Sequence, residues 1–179
     1  MNNRANHSCI EFSGLALHPI FSIYLFEIEK GEKKFFYIGM TGDAHYPSAR
    51  SILHRLAGHI DLGKKSTQSQ FIKGLKKVVF EGKEKLTTED WETLQIKLHH
   101  WPIPGFEPWK KGDLSDFDKK DEDYIIYKTI QSEVMNLEKR IIGEFGSELL
   151  NGTKGNTSLP LKDNYIMIYN DIKNIVGYE

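Results

Sequence analysis

The sequence predicts an α/β fold of the α+β type: a small, mainly antiparallel three-stranded sheet flanked by helices. Three observations lead there. Residues 21–29 and 34–40 are short runs rich in aromatic and β-branched residues on either side of Lys30-Gly31-Glu32-Lys33, which reads as a hairpin. Residues 93–101 alternate Leu94, Ile96 and Leu98 with polar neighbours, as a third strand would. Between and after these runs lie stretches of helical periodicity, the clearest over about residues 122–146.

Taken in order, the first strand is apolar on both faces, with Phe21, Ile23 and Leu25 on one and Tyr24, Phe26 and Ile28 on the other. A strand of that kind is covered on both sides. Hairpin parity sets which side chains share a face, and an even loop points Tyr24 and Tyr37 the same way. A two-residue loop is expected to set them directly opposite each other. Residues 48–60 read as a helix through Ile52, Leu53, Leu56 and Ile60. Ser66 or Thr67 can cap a second helix with the stripe Phe71, Ile72, Leu75, Val78 and Val79. After the third strand, Pro102, Pro104, Gly105 and Pro108 end regular structure, and residues 113–123 form an acidic stretch. The long helix carries Ile126, Ile130, Val134, Leu137, Ile141 and Phe145. A turn-rich break at residues 151–156 precedes a last helix over residues 161–176, with Tyr165, Ile168, Ile172 and Ile175 on one side. The 179 residues make one domain, 1–179, with residues 1–18 as an N-terminal extension and 157–179 as a C-terminal helical tail.

Composition removes several classes. Hydrophobic residues make up 39% and charged residues 27%, enough apolar material for a core. Cys9 is the sole cysteine, which rules out an intrachain disulfide scaffold and a Cys-rich zinc site. His54, His59, His99 and His100 lack zinc-site spacing, and no glycine-rich phosphate loop precedes a helix. No stretch is long and apolar enough to span a bilayer, so a cytoplasmic protein with no membrane partner is expected. A formal net charge of −1 excludes a simple polycation, so a basic surface must be local. Residues 50–86 hold nine Lys or Arg and three acids, whereas residues 87–123 hold five and ten. That asymmetry suits a polyanion in an oriented groove, with Lys64, Lys65, Lys73, Lys76 and Lys77 as candidate phosphate contacts.

Four features carry chemistry. Tyr24 and Tyr37 belong to the hairpin, the latter in Tyr37-Ile38-Gly39. Arg55 and His59 lie one turn apart on one helix face. Glu138 stands at the edge of an apolar stripe, with Val134 and Ile142 four residues to either side, a costly place for a carboxylate without a cation nearby. Asn151 follows the helix that holds Glu138.

In this order the fragments Ser22-Ile23-Tyr24, Tyr37-Ile38-Gly39-Met40-Thr41, Leu53-His54-Arg55-Leu56-Ala57-Gly58-His59, Leu137-Glu138-Lys139-Arg140-Ile141-Ile142 and Leu149-Leu150-Asn151 resemble the GIY-YIG nuclease family. The resemblance spans about residues 20–152. It departs from the family at Ser22, where the name motif has glycine, and in a longer segment between Gly39 and Arg55 that makes Arg50 a rival arginine. Arg55 is preferred for its histidine one turn later.

The resemblance implies a GIY-YIG-like fold and a divalent-metal-dependent endonuclease that hydrolyses phosphodiester bonds, in DNA first of all. Glu138 would hold Mg²⁺ or Mn²⁺, and Arg55 would stabilise charge on the phosphorus. Tyr24, Tyr37 and His59 are candidates for base or relay, the phenols needing nearby positive charge to lower a pKa of about 10. Asn151 would position groups within the site. Two readings compete: an inactive nucleic-acid-binding module of the same fold, and a protein-interaction domain using the acidic stretch. A homodimer would ease double-strand cutting.

Overall fold

The computed structural model describes residues 10–42, 49–60, 70–103, 120, 122–152 and 154–177. A 3₁₀ turn at Gly14–Leu17 leads into strand β1, Ser22–Lys30, and strand β2, Lys33–Met40. Helix α1, Ile52–Ile60, is followed by α2, Gln70–Gly74, which runs into a π-helical turn at Leu75–Val79. A short α3, Thr88–Glu92, precedes strand β3, Leu94–Pro102. The long α4, Glu122–Phe145, and a terminal α5, Ile166–Val176, complete the order. The antiparallel sheet has the order β2-β1-β3, so the doubly apolar strand is the central one.

Each face of β1 has its own core. Ile23 and Leu25, with Phe36, Ile38 and Met40 of β2, pack against Val134, Leu137, Ile141 and Phe145 of α4, with Ile172 of α5 behind. Tyr24, Phe26, Ile28 and Tyr37 pack against Ile52, Phe71, Ile72, Leu75 and Val79. Alternation along the strand therefore sends aliphatic residues to the α4 layer and the two tyrosines to the α1–α2 layer.

The hairpin loop is two residues, Gly31-Glu32, and Gly31 takes φ +60°, the left-handed conformation glycine supplies at the first central position of a type II′ turn. Tyr24 and Tyr37 share a face as parity requires. They are not directly opposite: Tyr24 pairs with Gly39, and Tyr37 with Phe26. The loop sits one residue later than a directly opposed pair needs, because glycine takes that central position.

Three stripes also differ in detail. Val78 is exposed, since the π turn adds a residue and brings Val79 and Phe80 inward instead. The first half of α4 buries Tyr127 and Gln131, while Ile126 is exposed. Steps of four residues drift about 40° round a helix with 3.6 residues per turn, so the buried face returns from Val134 through steps of three and four. α5 begins at Ile166 after a 3₁₀ turn at Asp163–Tyr165, later than its periodicity suggests. α1 begins at Ile52, where Ser51 Oγ accepts the His54 N–H at 3.2 Å; residue 48 lies outside the described residues. Ser66, Thr67 and most of the acidic stretch lie outside them as well. α3, which periodicity misses, is announced by a capping box in which Thr87 and Asp90 bond each other's backbone N–H.

Candidate functional site

The site is organised around the Tyr24 ring. Tyr24 is fully buried on the central strand and leans over Gly39, its directly paired neighbour. A Cβ placed on Gly39 would stand 2.2 Å from the phenol oxygen and 2.3 Å from Cζ, so this position admits no side chain while the ring lies there. The phenol meets His59 Nε2 at 2.6 Å. Burial pushes the Tyr24 pKa up, outweighing the Arg55 guanidinium beside it, so the phenol keeps its proton.

Tyr37, also buried, meets the edge of His59 with ring centroids 5.3 Å apart at 73°. Phe71 packs against Tyr37 at 5.4 Å. Phe26 completes a cage around the imidazole, which is itself buried. Burial raises the Tyr37 pKa too, with the neighbouring Tyr24 and Glu138 adding to the shift. Among the protein's own groups, enclosure dominates for both phenols.

Arg55 sits one helical turn before His59, with its guanidinium beside the Tyr24 phenol. Its Nε is buried and has no hydrogen-bond partner. Arg50, the rival, places Nη1 3.3 Å from His54 Nε2 and ties its backbone N–H to Thr41 O. Arg55 is therefore the arginine that meets the tyrosine pair.

Glu138 comes from α4, on the other side of the sheet. The Met40 N–H donates to its carboxylate, and Arg55 is its strongest cationic influence. Burial pushes its pKa up to about 7, against the opposing effects of Arg55, Lys139 and the Met40 N–H. Asn151 acts on the same strand: its Oδ1 accepts from Ile38 N–H at 3.0 Å, and its Nδ2 donates to Ile38 C=O at 2.9 Å. Leu150 N–H donates to Phe36 C=O at 2.6 Å, so residues 149–151 run along the outer edge of β2. Phe36, Ile38 and Met40 offer alternate backbone groups on that edge, and Leu150, Asn151 and Glu138 take them in turn.

The structure therefore brings Tyr24, Tyr37, Arg55, His59, Glu138 and Asn151 to one end of the hairpin. Lys73 and Lys77 are exposed and Lys76 is half-buried on the helix whose Gly74 abuts Leu150, next to the Asn151 clamp. Lys64 and Lys65 lie outside the described residues. Ser22 is buried in regular strand, its N–H donating to Thr41 Oγ1 at 2.9 Å, so serine is accommodated where the family motif has glycine. Sequence reasoning missed Phe71 as part of the imidazole cage and the need for a bare Gly39; the cross-strand register carries the second signal. Among the described residues no group of three or more His, Cys, Asp or Glu is placed to hold a metal ion. No helix among them is long and apolar enough to cross a membrane.

No protein-family model, curated protein or solved structure matches the chain. What the site does is therefore argued from its geometry.

Proposed function

We propose that this chain is a GIY-YIG-type endonuclease that hydrolyses phosphodiester bonds, in DNA, with a divalent cation. The observation that carries the reading is the meeting of an arginine Nε without a protein partner, a phenol–imidazole pair and a half-buried carboxyl group at one end of a hairpin. A buried guanidinium donor with nothing to donate to suits an anion, and its planar fork suits phosphate oxygens.

The donor set fits a hard cation. Glu138 offers oxygen, and its burial-raised pKa marks a carboxylate whose charge a nearby cation would favour. With one protein carboxylate, water and phosphate oxygens would complete the shell, which suits Mg²⁺ or Mn²⁺. Bound there, the cation supplies Lewis-acid polarisation of the phosphate and stabilisation of the leaving oxygen.

The chain's own residues supply the rest. Arg55 binds a non-bridging oxygen and opposes the charge that grows as water adds to phosphorus. Tyr24 passes its proton to His59 Nε2 as its oxygen takes one from the attacking water, so no free phenolate has to persist in a site that disfavours it. Tyr37 and Phe71 exclude water from the imidazole. Asn151 holds the strand from which Tyr37 and Gly39 project. Lys73, Lys76 and Lys77, on the helix whose Gly74 abuts Leu150, would meet the phosphates of a bound backbone.

The test is a panel of duplex, single-stranded and branched DNA and of RNA, incubated with Mg²⁺ or Mn²⁺. Cleavage of DNA that EDTA stops, and that Glu138→Ala lowers by on the order of 100-fold or more, is expected. Equal rates for Glu138→Ala and the parent would remove the mechanism. Salt-sensitive binding with no cleavage of any substrate would point to a binding module.

A further inference from the structure

The sheet row that carries Tyr24 reads Gly39 on β2, Tyr24 on β1 and His100 on β3, each directly opposite the next. Directly paired residues put their side chains on one face with Cβ atoms about 4.5–5.5 Å apart. The Tyr24 ring leans to the Gly39 side, which is bare. On the β3 side stands His100 itself. A groove of about 730 Å³ lies beyond it, between residues 10–16, α1 and β3, with Ala16, Phe26, Leu53, Leu56 and Leu98 among its lining, and neither Tyr24, Arg55 nor His59 borders it. Open space of that size on this side leaves the position of the ring to whatever stands between it and the groove.

His100 is the residue of the Tyr24 row that borders this groove. Its Nε2 meets Ser22 Oγ at 2.8 Å. Ser22 is fully buried and its backbone is tied twice to Thr41, through its N–H to Oγ1 at 2.9 Å and its C=O to the Thr41 N–H at 3.1 Å. The imidazole is thus anchored to the central strand two residues before Tyr24. Burial lowers its pKa, which favours the neutral ring in this bond.

We propose that His100 is a positioning residue for Tyr24: anchored on Ser22, it obstructs the groove side of the row and keeps the phenol over Gly39 and against His59. Its kinetic consequence rests on the nuclease reading above, whereas its structural consequence does not.

The decisive measurement is the His59 Nε2 resonance of the ¹⁵N-histidine-labelled full chain in metal-free buffer, assigned through His59→Gln, with Tyr24→Phe as the reference for an imidazole that has lost the phenol. His100→Ala should move the resonance towards the Tyr24→Phe position. His100→Gln, which keeps bulk and can still bond Ser22, should leave it at the parent position. An unmoved resonance in His100→Ala, or equal shifts in the Ala and Gln variants, overturns the proposal. If His100→Ala loses its native circular dichroism, His100→Ser replaces it in the comparison. On DNA, His100→Ala should lower kcat by on the order of 10- to 100-fold with KM unchanged, and His100→Gln should restore it. A parent chain that cleaves nothing refutes the nuclease reading and leaves the resonance to decide this one.

Discussion

Gly39→Ala is the sharpest test of the site's packing. The new Cβ would fall 2.2 Å from the Tyr24 oxygen, 2.3 Å from Cζ and 2.8 Å from Cε2. Ordinary carbon contacts are about 3.5–4 Å, so the ring must move by more than about 1 Å. It has little freedom to do so. Tyr24 is fully buried, with Phe26 at 5.5 Å and the phenol held on His59 at 2.6 Å. Overpacking of this kind costs about 1–3 kcal/mol, and a buried imidazole nitrogen left without its donor costs about 1–3 kcal/mol more. Gly39→Ala should therefore lose about 2–6 kcal/mol in urea unfolding, with the unfolding slope unchanged. In a Tyr24→Ala background the obstructing ring is gone, and the same substitution should cost less than about 1 kcal/mol. Equal costs in the two backgrounds, or a parent-like Gly39→Ala, would refute the close approach of ring to strand.

Three further outcomes follow from the same geometry. Asn151→Ala leaves both Ile38 backbone groups without their clamp and should lose about 1–3 kcal/mol. Asn151→Asp keeps the acceptor for Ile38 N–H but faces the Ile38 carbonyl with a carboxylate, so its deficit at neutral pH should shrink on acidification; urea unfolding at both pH values checks the pair. Glu27 is held down to about 2 by the Lys34 hydrogen bond first, then by His99 and Lys97. A folded pKa below the unfolded value of 4.5 means its contribution is present above pH 4.5 and is lost as pH falls towards about 2. Glu27→Gln should flatten that acid limb, and an unchanged limb would count against the ion-pair cluster. Glu138 runs the opposite way: its folded pKa of about 7 lies above its ordinary 4.5, so the folded state binds the extra proton between them. Metal-free stability should decline as pH rises from 4.5 through about 7, and Glu138→Gln should remove that slope; a slope that survives the substitution belongs to another group.

Much of this was legible because it rests on local pattern. The two apolar faces of residues 21–29 announced a strand covered on both sides, and the parity of the hairpin placed Tyr24 and Tyr37 on one face. Glu138 stood out as a carboxylate on an apolar stripe, and the helical turn between Arg55 and His59 fixed their common face. Register was not legible in the same way. It depends on which residue of Lys30-Gly31-Glu32-Lys33 takes the left-handed conformation, and a shift of one position moves Tyr37 from opposite Tyr24 to opposite Phe26. The π turn escaped because it changes the period within a single helix, so Val78 counts as inward by rule and faces outward in fact. The Asn151 clamp joins residues 113 apart in sequence, and nothing local tells an amide that will pair with a strand edge from one in a turn.

The outer edge of β2 explains why the carboxylate and the phenols meet although they belong to opposite layers of the sandwich. An edge strand exposes alternate N–H and C=O groups that would invite another chain to pair. Here Leu150 takes Phe36 C=O, Asn151 takes both groups of Ile38, and Glu138 takes the Met40 N–H. Covering the edge thus also draws α4 and the segment after it to the strand that carries Tyr37 and Gly39. The final member of that series is a carboxyl group, and α1 brings Arg55 to it from the other face. Because the groups that finish the strand are also the groups that build the site, substitutions at Asn151 or Gly39 should lower stability and disturb the Tyr24–His59 pair together, whereas His100→Ala should disturb the pair at a smaller cost in stability.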